Sequence, residues 1–208
     1  MVGLVHDHLR LDVLEGRLRP GDQLAVPRIA RELGVSRGSA REAVLQLVGE
    51  GLAQEHPRRG VVVAAIGRAE AQGIHQAREA LEGYAARLCA QVGDPGLLPR
   101  LRDVLDEQEQ AITRDDGAGC SRTDGRFHSL IAEHCGNAEL RTLIERLRDR
   151  MRIALVRVAD IPAHRSRGHG ELLDVAAAIE VQDRVEAEAA MRRHIGRTSS
   201  LLEALDDV

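Results

Sequence analysis

Apolar residues recur at helical spacing from the start of the chain. Residues 4–15 read as an amphipathic helix with Leu4, Val5, Leu9, Val13 and Leu14 on one side. Pro20-Gly21 marks a turn. Residues 26–33 form a second short helix, with Pro27 tolerated in its first turn. Gly34 ends it, and Ser36 caps a third helix running to about Gly49, whose inner face carries Ala40, Ala43, Val44 and Leu47. Two short β-prone runs then flank His56-Pro57-Arg58-Arg59-Gly60, the pattern of a hairpin with a basic tip.

After Gly67 the strand signals stop. Helical patterns fall near 68–91, 95–113, 122–134, 137–158, 165–181 and 183–205, separated by Gly, Pro, Asp or Asn breaks. Helices of this number and length make a bundle. The expected fold is therefore mostly α. A winged helix-turn-helix (three helices plus a β-hairpin) occupies residues 1–65, and an all-α helical bundle occupies 68–208.

Composition sharpens this. Among 208 residues there is one Phe, one Tyr and no Trp, so the core must be built from Leu, Val, Ile and Ala, which favours helix on helix. The net charge of −4 conceals an asymmetry: residues 1–65 carry nine Arg against eight acids, and the acidic excess lies in the remainder. A neutral-to-basic head on an acidic body permits nucleic-acid binding by the head. Cys89, Cys120 and Cys135 show no paired spacing, and no secretory signal opens the chain, so free thiols in a reducing cytoplasm are expected. No apolar run reaches the ~20 residues of a membrane span.

The densest chemistry in the head lies between Gly34 and Arg41. A tight turn feeds a helix whose first turn presents Ser36, Arg37, Gly38, Ser39 and Arg41. Arg37 and Arg41 are four apart and share a face. The first residues of a recognition helix meet base edges and phosphates, and the planar guanidinium grips both. The wing tip Arg58-Arg59-Gly60 adds a basic hairpin suited to the adjacent minor groove. Two surface arginines at a solvated helix start would look the same on spacing alone.

In the body, Asp124 and His128 are four apart on a helix, so both point to one side, beside Phe127 and Leu130. That is the spacing of two metal ligands, and equally of a hydrogen-bonded surface pair. His194, in the last helix, and His169, at the start of the preceding one, can complete a site of three His and one Asp. Such a set suits a first-row divalent ion, zinc first, with nickel and manganese as alternatives. His6, His8, His56 and His75 show no partners and read as surface positions.

The stretch LRPGDQLAVPRIARELGVSRGSAREAVLQLVGEGLAQEHPRRGVVV resembles the winged-helix domain of the GntR superfamily of bacterial regulators. By position, the resemblance implies DNA contacts from Arg37, Ser39 and Arg41, with Gly60 at the wing. Pro27 occupies the place where the family often carries an Arg, and Arg28 stands next to it as a substitute. EALEGYAARLCA, DGRFHSLIAEHCGNAEL and AEAAMRRHI resemble the FCD ligand-binding domain of the FadR-type branch. That resemblance implies a metal held by Asp124, His128 and His194. The family's remaining histidine position falls on Leu172, with His169 one turn away and His164 a weaker substitute. It also implies an effector carboxylate met by Arg78, a residue that could instead pair with Glu82 one turn on.

These expectations combine into a transcriptional regulator, a repressor by the family's common mode, rather than an enzyme. Two chains would pair on a palindromic operator in double-stranded DNA. A small organic or sugar acid, bound with a divalent metal, would set operator affinity. Two rivals stand beside it: a metal-dependent enzyme acting on a small acid, and a constitutive DNA-binding protein whose bundle only dimerises.

Overall fold

A computed structural model describes residues 1–155 and 162–197. The chain divides into two compact units. The first gathers residues 1–71 with the described part of 148–158, and the second gathers Gln72–Leu147 with 162–197. Residues 148–155, which the sequence pattern assigns wholly to the bundle, thus group with the head.

The head begins with α1 (Val2–Leu14), α2 (Val26–Glu32) and α3 (Arg37–Glu50), followed by β1 (Ala53–His56) and β2 (Gly60–Val63). The strands pair antiparallel from Ala53↔Val63 to His56↔Gly60. The segment before α2 adds a third edge: Gly21 N–H donates to Val63 O and Leu24 N–H to Val61 O. Val5, Leu9, Val13 and Leu14 of α1 are buried, as are Ala40, Ala43, Val44 and Leu47 of α3. Leu4 departs from the expected face and is exposed. Arg10 Nε donates to Asp149 Oδ2 at 2.9 Å, tying α1 to the late turns of α7 within this unit.

The second unit is a bundle made from α4 (Arg68–Val92), α5 (Leu97–Thr113), α6 (Gly117–His134), α7 (Ala138–Leu155), α8 (Pro162–Glu180) and α9 (Arg184–Arg197), the first turn of α4 and the last turns of α7 belonging to the head. Its core is aliphatic around one ring: Phe127, Leu97, Leu101, Ile131, Ile144, Leu172, Met191 and Ile195 are essentially sealed. Sealing side chains of this size stabilises by roughly 1.5–3 kcal/mol each before conformational entropy is set against it. α6 starts five residues earlier than the apolar pattern suggests. Asp116 caps it by accepting from Gly119 N–H at 2.8 Å, and a β-carbon on Gly119 would come within 3.0 Å of Ala111 Cβ. The glycines that blur the helical signal are thus there for the cap and for close packing.

Candidate DNA-reading surface and metal centre

At the start of α3, Ser36 Oγ accepts from Ser39 N–H at 3.1 Å and lies 3.0 Å from Ser39 Oγ. This cap satisfies backbone donors and fixes the helix start. It leaves Arg37 and Arg41 exposed, one turn apart. Among the described residues neither forms a hydrogen bond or ion pair, nor does Arg58 at the wing tip. The wing turns through two left-handed residues, Arg58 (φ 68°) and Gly60 (φ 70°). Arg59 is committed locally: its guanidinium donates to Gly21 O at 2.9 Å, and its own carbonyl accepts from Gln23 Nε2 at 2.7 Å. Arg28 likewise donates to Gln23 O at 3.1 Å, at the foot of α2.

In the bundle, α6 and α9 bring Asp124, His128 and His194 together. One ligand atom from each lies within 4.8 Å of the others. The two imidazoles face each other through Nε2 at 3.3 Å. Asp124 approaches with Oδ1 at 3.6 Å from His194 Nε2 and Oδ2 at 3.8 Å from His128 Nε2. Both histidines are sealed, whereas the Asp124 side chain is 45% exposed, so the cluster is reached from the aspartate side.

Each ring also has a carboxylate behind it. His128 Nδ1 lies 2.5 Å from Glu82 Oε2, and His194 Nδ1 lies 3.3 Å from Glu171 Oε2. Burial lowers the His128 pKa despite the nearby Glu82 and Asp124, leaving that ring neutral near pH 7. Burial also works against protonation of His194, but hydrogen bonding to Asp124 and Glu171 outweighs it and raises its pKa. Desolvation would raise the Asp124 carboxyl. Its hydrogen bond to His194 and the charges of His128, His194 and Arg78 instead hold it well below the usual range.

Residues 3–63 match the family described as bacterial regulatory proteins, gntR family, and residues 73–197 match the FCD domain. The chain belongs to the GntR family, in its FCD-bearing form. This GntR protein is a DNA-binding transcriptional regulator, and its relatives are regulators rather than enzymes. It is 35% identical over 115 residues to an uncharacterized HTH-type transcriptional regulator of Agrobacterium vitis, covering 54% of this chain and 67% of that protein. It is 29% identical over 194 residues to the HTH-type transcriptional repressor RspR of Escherichia coli, covering 92% of this chain and 84% of that one. The fold matches E. coli McbR/YncC with a TM-score of 0.84 at 23% identity, over 97% of this chain and 96% of that one. No helix among the described residues is long and apolar enough to cross a membrane.

His169 is not in the compact cluster; its Nδ1 lies 3.0 Å from Gln108 Oε1, a buried amide on α5. Leu172, at the family's remaining histidine position, is sealed in the apolar core. The side chain of His164 lies outside the described residues. Arg78 donates through Nε to Glu82 Oε1 at 2.8 Å, the pairing open to it from spacing alone. His75 is buried rather than a surface position, and among the described residues its Nε2 has no hydrogen-bond partner. His6 is also drawn in, lying 2.9 Å from Glu50. Glu82 and Glu171 are not legible as neighbours of the cluster in sequence. The Arg78-x3-Glu82 spacing hints at an ion pair, but its second partner is 46 residues away.

Proposed function

We propose that this GntR protein is a homodimeric repressor whose operator affinity is set by a small acid bound beside a divalent cation in the helical unit. One observation carries the reading. If Nδ1–H of each ring faces its carboxylate, both Nε2 atoms present bare lone pairs, and Asp124 adds a third. Three acceptors aimed at one point, two of them desolvated, require a positive species among them. His194, with its raised pKa, supplies a proton when nothing else is there.

Asp124, His128 and His194 would hold the ion, with His169 a more distant candidate for the set. Nitrogen and oxygen donors of this kind suit zinc, with nickel and manganese as alternatives. When bound, the ion would supply an electrophilic position for a carboxylate on the exposed Asp124 side. Arg78 offers its outer N–H groups to the same acid, an organic or sugar acid, by a charge-assisted pair. Coupling to the operator would be worth about 1–3 kcal/mol, or ~5–150-fold.

In the head, Arg37, Ser39 and Arg41 would read the major groove from the capped start of α3, with Ser36 holding that start in place. Arg28 would meet a phosphate, and the wing with Arg58, Arg59 and Gly60 would enter the neighbouring minor groove. Pairing of two chains matches two half-sites, and the protein would act on DNA in the bacterial cytoplasm.

The test combines metal analysis of the purified protein with operator binding measured with and without small carboxylates. Bound metal in the parent, its loss in His128→Ala, and carboxylate-dependent release from the operator are expected. A metal-free parent whose DNA affinity ignores every acid would leave a protein whose bundle serves only to dimerise.

A further inference from the structure

We infer that Glu82 and Glu171 are positioning residues for the cation site, each forming the middle of an Arg–Glu–His relay; the inference rests on the cation reading above. The first relay runs from Arg78 Nε to Glu82 Oε1 (2.8 Å) and from Glu82 Oε2 to His128 Nδ1 (2.5 Å). The second runs from Arg197 Nε to Glu171 Oε2 (2.6 Å) and from that oxygen to His194 Nδ1 (3.3 Å). They come from different helices, α4 with α6 for the first and α8 with α9 for the second, and meet where the two Nε2 atoms stand 3.3 Å apart.

The chemistry of the ring gives each carboxylate its task. A neutral imidazole carries its proton on one nitrogen only, and turning the ring over exchanges the two. A carboxylate behind Nδ1 holds the proton there, stops the ring turning over, and leaves the Nε2 lone pair facing inward. It also makes that lone pair more basic. Glu82 has a 2% exposed side chain, and a carboxylate that deep persists in charged form only against a cation. Arg78 supplies that cation and occupies one oxygen, which leaves the other for the ring. Glu171, 19% exposed, is held by Arg197 through Oε2, the oxygen that also faces the His194 ring, with the Arg167 guanidinium 3.5 Å from its other oxygen.

The relays also explain two arginines on the inner side of an otherwise aliphatic bundle. Each is a partner for a buried or half-buried carboxylate that also faces a ring: Glu82 divides its two oxygens between Arg78 and His128, and Glu171 turns one oxygen to both Arg197 and His194. Arg78 is therefore shared between Glu82 and the acid proposed to bind beside the ion.

The experiment uses the full chain stripped of metal and titrated with Co2+ alone, followed by visible absorption and by competition with Zn2+. Glu82→Gln and Glu171→Gln keep the shape and an acceptor oxygen but remove the charge. Each is expected to weaken Co2+ binding roughly 10–100-fold and to shift its absorption bands. The metal-free melting temperature serves as the control for folding. Variants that melt lower but bind Co2+ with the parent's affinity and spectrum would reduce both glutamates to structural ion pairs and overturn the inference. If Glu82→Gln does not fold, Glu171→Gln, on the more exposed relay, decides the matter. A parent chain that binds no Co2+ ends the cation reading itself, and the relays with it; a parent that binds while both variants match it ends only the relays.

Discussion

The two units handle charge in opposite ways. In the head, Arg37, Arg41 and Arg58 stand in solvent without an ion-pair partner among the described residues. In the bundle, the charged groups around His128 and His194 are buried or half-buried, and Arg78, Glu82, Glu171 and Arg197 are all paired. An unpaired cation in water costs little and is ready for a polyanion, which supplies partners and releases counterions on contact. A buried charge costs several kcal/mol unless its partners are built in. The head thus leaves its chemistry to be completed by its ligand, whereas the bundle completes most of its own and, on the proposed reading, leaves one position for a cation.

The largest expected effect that tests this contrast is at His128. His128→Ala removes a donor and strands Glu82 without its ring. Metal binding should fall by at least about 100-fold by equilibrium dialysis, beyond the effect of losing an outer partner. The metal-free chain should also lose about 1–3 kcal/mol in denaturant unfolding, the cost of a buried group left unsatisfied. Retained metal would show that the two rings are no more than a proton-sharing pair.

Next comes Arg37. Arg37→Ala should cost ~1–3 kcal/mol in operator binding and relax sequence preference, with no change in melting temperature, because the side chain is exposed and forms no hydrogen bond or ion pair among the described residues. Equal loss on random and operator DNA would assign it to phosphates alone. The wing separates the two neighbouring arginines more finely. Arg58→Ala should weaken DNA binding and lower its salt dependence by about one ion, leaving folding intact. Arg59→Ala should act partly by loosening the wing from Gly21, visible as a lower melting temperature. Indistinguishable variants would blur the contrast between free and committed cations.

Protons give a smaller effect. Asp124 and Glu171 raise the His194 pKa above 6.5, so the ring keeps its proton to a higher pH than a free histidine. A metal must displace that proton. Affinity should therefore rise with pH through and somewhat above the ordinary histidine range, flattening once His194 is neutral. His194→Ala should bind weakly with a flatter profile, and a flat profile in the parent would remove the proton from the site. Smallest of all, Cys89 is sealed and its thiol donates to Ile131 O, and burial pushes its pKa up to about 12. It should resist iodoacetamide in the native protein and label only on unfolding.

The helical frame was legible because it rests on local periodicity. Ala40, Ala43, Val44 and Leu47 read as one buried face and are one. The cap at Ser36 and the hairpin around Gly60 follow from turn chemistry in the same way. Asp124 and His128 were legible as a pair through their spacing, and His194 through the family pattern. The relays were not, because Glu82 and His128 meet through tertiary packing that no local period encodes. The early start of α6 is masked by Gly117 and Gly119, both weak helix formers, of which Gly119 serves the cap and the close approach to Ala111. His75 reads as a surface residue because its helical neighbours Gln72, Arg78, Glu79 and Glu82 are polar or charged, so no apolar stripe marks its depth.

The uneven exposure of Asp124 and the two imidazoles has a kinetic consequence. On the proposed reading, an ion arriving from water would meet the carboxylate first and the nitrogens behind it afterwards. Capture should therefore track Asp124, and escape should track the rings behind it. A charge-neutral substitution at the aspartate would slow loading more than it hastens leakage, and truncating a ring would do the reverse.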